Sequence, residues 1–141
     1  MAASFSPRTT CQSSGQNFRA QLGEQVVIIP VSDETTPLVA GTNKLTLPWP
    51  QAYTLTAVGG FATTAPTGQG IIADINLAGV SILSTRITID AGQQFSVNSA
   101  TQPVLSTTAL PENAVLSFDI DQVGSIIAGS GLKILLYGAR T

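Results

Sequence analysis

The sequence predicts an all-β fold, an antiparallel β-sandwich, on three observations. Short runs rich in Val, Ile, Leu, Thr and aromatic residues recur between clusters of Gly, Pro, Asn and Ser. Several runs alternate apolar and polar side chains with period two, the mark of a strand with one buried face. No segment carries an apolar stripe at helical spacing, and the β-branched content works against helix throughout.

About eight strands are expected. The first, Gln25–Ser32, contains the apolar run Val26 to Val31, interrupted by Pro30. Lys44–Trp49 runs into Pro48-Trp49-Pro50, where two prolines hold the backbone extended around a large aromatic. Trp49 is read as a plug, in the core or against another subunit, rather than as a ligand platform. Tyr53–Phe61 follows, then Gly70–Leu77, which places Ile71, Ala73, Ile75 and Leu77 on one face. Val80–Asp90 and Gln93–Val97 come next. In Ala114–Asp121, Leu116, Phe118 and Ile120 oppose Ser117, Asp119 and Asp121, and Leu132–Tyr137 is the last strand. The expected core is Ile75, Leu83, Ile87, Leu116, Phe118, Ile120, Ile134 and Leu136. Parallel pairing would require crossover helices, so the sandwich is antiparallel, jelly-roll-like or immunoglobulin-like. Asp74-Ile75-Asn76 is followed by Gly79 and Ile82 at the same offsets as Asp119-Ile120-Asp121 by Gly124 and Ile127, which predicts two equivalent hairpins.

The chain has 141 residues, room for one sandwich domain over 25–141 and a preceding arm, 1–24, with few large apolar residues. No histidine is present, which removes Ser-His-Asp and Cys-His nucleophile pairs and most zinc sites. The single cysteine, Cys11, forms neither an intrachain disulfide nor a metal site alone, and it is expected to stay reduced in the cytoplasm where the chain is made. Neither a signal segment nor a membrane span is expected. Six Lys and Arg against eight Asp and Glu give net −2, the wrong sign for nucleic acid or an anionic membrane.

Charged residues are only 10% of the chain, so its surface is mostly neutral and is expected to be covered in part by neighbours. The contact residues expected are Phe5, Arg8, Phe18 and Arg19 of the arm, together with Ile126 and Ile127 at the tip of the glycine-containing loop 124–131. That loop lacks the lysine of a phosphate-binding P-loop and reads as a hairpin loop. Asp119 and Asp121 leave one face of their strand, and Asp74 sits similarly. Such carboxylates could bind calcium or, at about 5 to 9 Å, hydrolyse glycosides, but they are read as the solvated face of the sheet. No catalytic residue, metal ligand, cofactor or small-molecule substrate is expected.

The stretches Val31-Ser-Asp-Glu-Thr-Thr-Pro-Leu-Val-Ala-Gly-Thr, Tyr53-Thr-Leu-Thr-Ala-Val, Thr64-Ala-Pro-Thr-Gly, Asp74-Ile-Asn with Ser81-Ile-Leu-Ser-Thr, Ile87-Thr-Ile-Asp-Ala-Gly and Phe118-Asp-Ile-Asp-Gln-Val-Gly together resemble a domain of tailed-bacteriophage virion proteins, including cyanophage-like phages. The likeness spans about Val26 to Gly138 and leaves out the arm. It implies a β-sandwich of the kind used in capsid decoration (cement) proteins and in tail- or fibre-associated parts, with no catalytic residue. The expectation is a homotrimeric cement protein on the outer capsid surface, bound to the major capsid protein. Alternatives are a tail, neck or fibre component, a glycan-binding host-adsorption module, and a carboxylate-dependent hydrolase.

Overall fold

A computed structural model describes residues 23–141. Phe5, Arg8, Phe18 and Arg19 lie outside them.

The described chain forms eleven strands and one short 3-10 turn. The longer strands are β1 (Gln25–Pro30), β2 (Gly41–Trp49), β3 (Tyr53–Thr64), β4 (Ile71–Leu77), β10 (Ala114–Gln122) and β11 (Ser130–Arg140). Between them lie β5 (Val80–Ser81), β6 (Leu83–Thr85), β7 (Ile87–Ile89), the turn Ser96–Asn98, β8 (Val104–Leu105) and β9 (Ala109–Leu110). One antiparallel sheet has the order β9-β3-β11-β1; the other has β2-β10-β4-β5, with β7 also on β4, and β6 pairs with β8 alone. The fold is an all-β antiparallel sandwich, as the period-two patterning predicts; this strand order does not establish jelly-roll connectivity.

The two sheets bury one continuous apolar layer. All eight residues expected in the core are in it, with Ile75, Ile87, Leu116, Ile134 and Leu136 fully enclosed. Strict alternation on β10 and β11 produces this, because inward residues of one sheet meet inward residues of the other.

The chain repeatedly changes sheets. Pro50, Gln51 and Ala52 carry it from β2 to β3, so Trp49 and Tyr53 meet at a corner, ring centroids 5.3 Å apart and nearly edge to face. Trp49 is half-buried and packs on the rim of the core, in accord with the plug reading as far as this chain goes.

Four local expectations fail. Val80–Asp90 is three short strands, because adjacent Ile82 and Leu83 are both buried and no single pleat places neighbours on the same side. Gln93–Val97 is not a strand: Ser96 is buried, its hydroxyl accepts the Gly60 N–H at 2.8 Å, and a 3-10 turn follows. The short strands β8 and β9 have no counterpart in the expectation. Finally, the two glycine turns are not equivalent: Ala78-Gly79 joins β4 to β5 as a hairpin, whereas the loop after β10 crosses to the opposite sheet.

Candidate functional site

Three features gather the chemistry-bearing residues. The first is the crossing loop between β10 and β11. Its tip is held by backbone bonds: Ile126 N–H donates to Thr67 O at 3.0 Å, Thr67 N–H to Ile127 O at 2.9 Å, and Gly124 N–H to Ala128 O at 3.0 Å. The Thr67 hydroxyl also accepts the Ile127 N–H. A Cβ on Gly124 would fall 1.8 Å from Ile127 O, so only glycine permits this closure. The closure leaves Ile126 80% and Ile127 49% exposed. The expected contact tip is therefore a pinned apolar knob, although its loop is a crossover and not a hairpin.

A polar network on the outer face of the β2-β10-β4 sheet is the second feature. Asp119 stands opposite Asp74 across the strands. Arg86 Nε lies 3.2 Å from Asp74 Oδ2 and 2.9 Å from Asp121 Oδ2. The Ser81 hydroxyl and the Ile75 N–H donate to Asp74 Oδ1. Asp119 accepts the Asn43 N–H on one oxygen and the Asn76 amide on the other. Partial burial raises the Asp121 pKa above its ordinary value; Arg86 pulls it down, while Asp74 and Asp119 push it further up. The solvated-face reading holds for Asp121, which is exposed, and for Asp119, which is half-buried, but not for Asp74, which is buried with both oxygens engaged. No group of acidic or thiol side chains among the described residues has the arrangement of a metal site.

The third feature is a cleft of about 470 Å³ between β1 and β2, each the last strand of its sheet among the described residues. Val27, Ile29, Leu47, Trp49 and Tyr53 form its apolar wall, and Gln25, Gln51 and Arg140 stand at its polar margin. Arg140 donates to the Gln51 side-chain oxygen at 2.9 Å. The Tyr53 hydroxyl is buried with no hydrogen-bond partner among the described residues. Burial, and secondarily the charge of Glu24, raise its pKa. The sequence reading singled out Trp49 but missed this cleft, because its two walls come from strands that do not pair with each other.

Comparison with protein-family models, with curated proteins and with solved structures found no match, and the assignment of a role rests on the residues themselves.

Proposed function

We propose that the chain is a structural virion protein of a tailed bacteriophage, a capsid decoration (cement) protein that binds the outer surface of the major capsid protein lattice as a homotrimer. The observation that carries this reading is the pinned knob, with Ile126 80% exposed on a loop held at both flanks by backbone bonds. A large aliphatic side chain held rigidly in water fits a protein contact better than a solvated loop. The sparse charge of the chain supports the same reading, as does the sandwich that the phage resemblance implies. On this proposal the knob and the arm residues Phe5, Arg8, Phe18 and Arg19 make the contacts, and the sandwich acts without cofactor, nucleic acid, membrane or small-molecule substrate.

Quantitative mass spectrometry of purified virions tests it. A cement protein is present in a number comparable to the major capsid protein, and Ile126→Ser with Ile127→Ser lowers its occupancy without unfolding it. A few copies per particle, with label at the tail, would move the assignment to a tail, neck or fibre component. Trp49 beside an open cleft favours one second reading, a glycan-binding adsorption module. That module would bind a glycan array and lose binding in Trp49→Ala.

A further inference from the structure

The two outer faces of the sandwich differ in kind. That of the β2-β10-β4 sheet carries the network of Asp74, Asp119, Asp121 and Arg86. On the outer face of the β9-β3-β11-β1 sheet, paired residues, which share a face, form three rows. Read from β1 through β11 to β3, they are Val26-Tyr137-Ala57, Ile28-Leu135-Gly59 and Pro30-Lys133-Phe61. Phe95 extends the last row beyond β3, its ring centroid 4.7 Å from that of Phe61. Lys133 is the one charged residue in these rows. Its Nζ is held down, 5.6 Å from the Phe61 ring centroid and bonded to Glu34 and to the Thr63 hydroxyl. Val26, Ile28 and Phe95 are 48%, 59% and 45% exposed. Strands covered on both faces read as unbroken apolar runs, and β1 and β11 do so over Val26-Val27-Ile28-Ile29 and Ile134-Leu135-Leu136-Tyr137.

We propose that this face packs against the same face of other copies of the chain and so lines the axis of the homotrimer. The inference rests on the self-association contained in the proposed function, and it leaves the capsid to the knob at Ile126 and Ile127. Charge favours a second copy over another partner. Glu34 of the same chain neutralises Lys133, so like faces meet without repulsion, while a charged partner finds no free counter-charge in the rows. Shape favours it as well. A Cβ on Gly59 would lie 3.8 Å from Leu135 Cδ1, so Leu135 leans over the one position in the rows that has no side chain, and the face is flat. Flat apolar sheet faces pack on one another, as the two sheets of this molecule do. β3 and β11 have neighbours on both sides in the sheet, so the contact is made by side chains and not by strand addition. At strand spacings of about 4.8 Å and rises of about 3.3 Å per residue, the face with Phe95 covers about 300 Å², the size at which an apolar patch marks a contact.

The full-length chain tests this in solution, apart from any capsid. Ile28→Arg places an unpaired charge in the middle row. Sedimentation equilibrium should show the dissociation constant between copies raised by about tenfold or more, with the circular dichroism of the folded sandwich retained. Thr46→Arg, exposed on the outer face of the opposite sheet, leaves association unchanged. So does Ile126→Ser with Ile127→Ser, which lowers capsid occupancy alone. Undiminished association in folded Ile28→Arg would overturn the proposal. A second measurement needs no substitution: in a mixture of isotope-labelled and unlabelled chains, nuclear Overhauser contacts between copies are expected at Ile28, Leu135 and Phe95. Contacts between copies confined to other surfaces overturn the proposal, as do contacts from these side chains only within their own chain. A chain that stays monomeric overturns it too, whereas copy number in virions decides the capsid role separately.

Discussion

Asp119 of β10 lies directly opposite Asp74 of β4, so two carboxylates occupy facing positions on one sheet surface. Facing like charges destabilise a strand pair, and here the cost is offset by Asn76 and the Asn43 N–H on Asp119 and by Ser81 and Arg86 on Asp74. Arg86 is the cation that makes the arrangement tolerable. Arg86→Ala leaves the buried Asp74 carboxylate without a cation. Because Arg86 itself is half-exposed, the expected loss is about 1–3 kcal/mol, between the values for exposed and buried pairs. Adding Asp74→Asn recovers part of that loss, and urea melts of the double-mutant cycle check it.

Asp121 gives a pH prediction of definite sign. Its folded pKa is raised, mainly by partial burial. Between the unfolded and folded values the native state keeps a proton that the unfolded state has released, so stability falls as pH rises through that window. Asp121→Asn removes this loss. Relative to the unsubstituted protein, the variant should be more stable at neutral pH than it is at about pH 3, below the ordinary aspartate range. Carboxylates remote from Asp121 cancel in the comparison of the two chains, and relief of its repulsion on Asp74 and Asp119 acts with the same sign. An equal difference at both pH values would refute the linkage.

Leu116 and Phe118 are enclosed at the centre of β10, with exposures of 0% and 1%. Leu116→Ala is expected to cost roughly 2–5 kcal/mol and Phe118→Ala roughly 3–5 kcal/mol. Chemical denaturation should show lower midpoints at unchanged slope for both.

Ala78 holds a φ of 51°, in a region that costs a side chain with Cβ, while Gly79 beside it sits at 84° without penalty. Both signs match a type I′ hairpin turn between β4 and β5, for which Asn-Gly is the favoured pair. Ala78→Asn is expected to stabilise the fold by about 0.5–1 kcal/mol. A lower melting temperature would contradict that turn.

Gly124→Ala tests the knob through its hinge. The added methyl group would collide with Ile127 O, so the loop must open or shift. A cost of about 1–3 kcal/mol is expected, with faster amide exchange at Ile126 and Ile127 and little change at β10. Reduced capsid occupancy in a variant that still folds would tie the loop's shape to assembly.

The strands that build the core were legible because their side chains alternate: Leu116, Phe118 and Ile120 on β10 and Ile134 and Leu136 on β11 announce a buried face without any tertiary information. Alternation fails where the chain bends. Ile82 and Leu83 look like the middle of a strand, yet both are buried because Ser81 turns its hydroxyl toward Asp74 and the Leu83 backbone. Phe95 and Val97 have strand-like character and remain exposed, because buried Ser96 anchors that turn to Gly60. The exposure of Ile126 and Ile127 was readable from the glycines around them, but their tether to Thr67 was not, since the partner lies about sixty positions earlier in the chain. The clustering of Asp74 with Asp121 likewise depends on Arg86, whose role is set by where β6 ends.

The pairing of β1 with β11, Gln25 beside Gly138 and Pro30 beside Lys133, governs how the molecule must be made. A chain leaving the ribosome N-terminus first exposes β1 long before the strand that completes its hydrogen bonds exists. β3 waits for the same strand, and β2 waits for β10. Contacts so distant in sequence form slowly, because loop closure must precede the gain from pairing. The first half of the sandwich therefore gains its main pairings only after synthesis of the last hundred or so residues is nearly done. Completion is late and cooperative, and a chain truncated before Ser130 would lack the strand at the centre of its β9-β3-β11-β1 sheet.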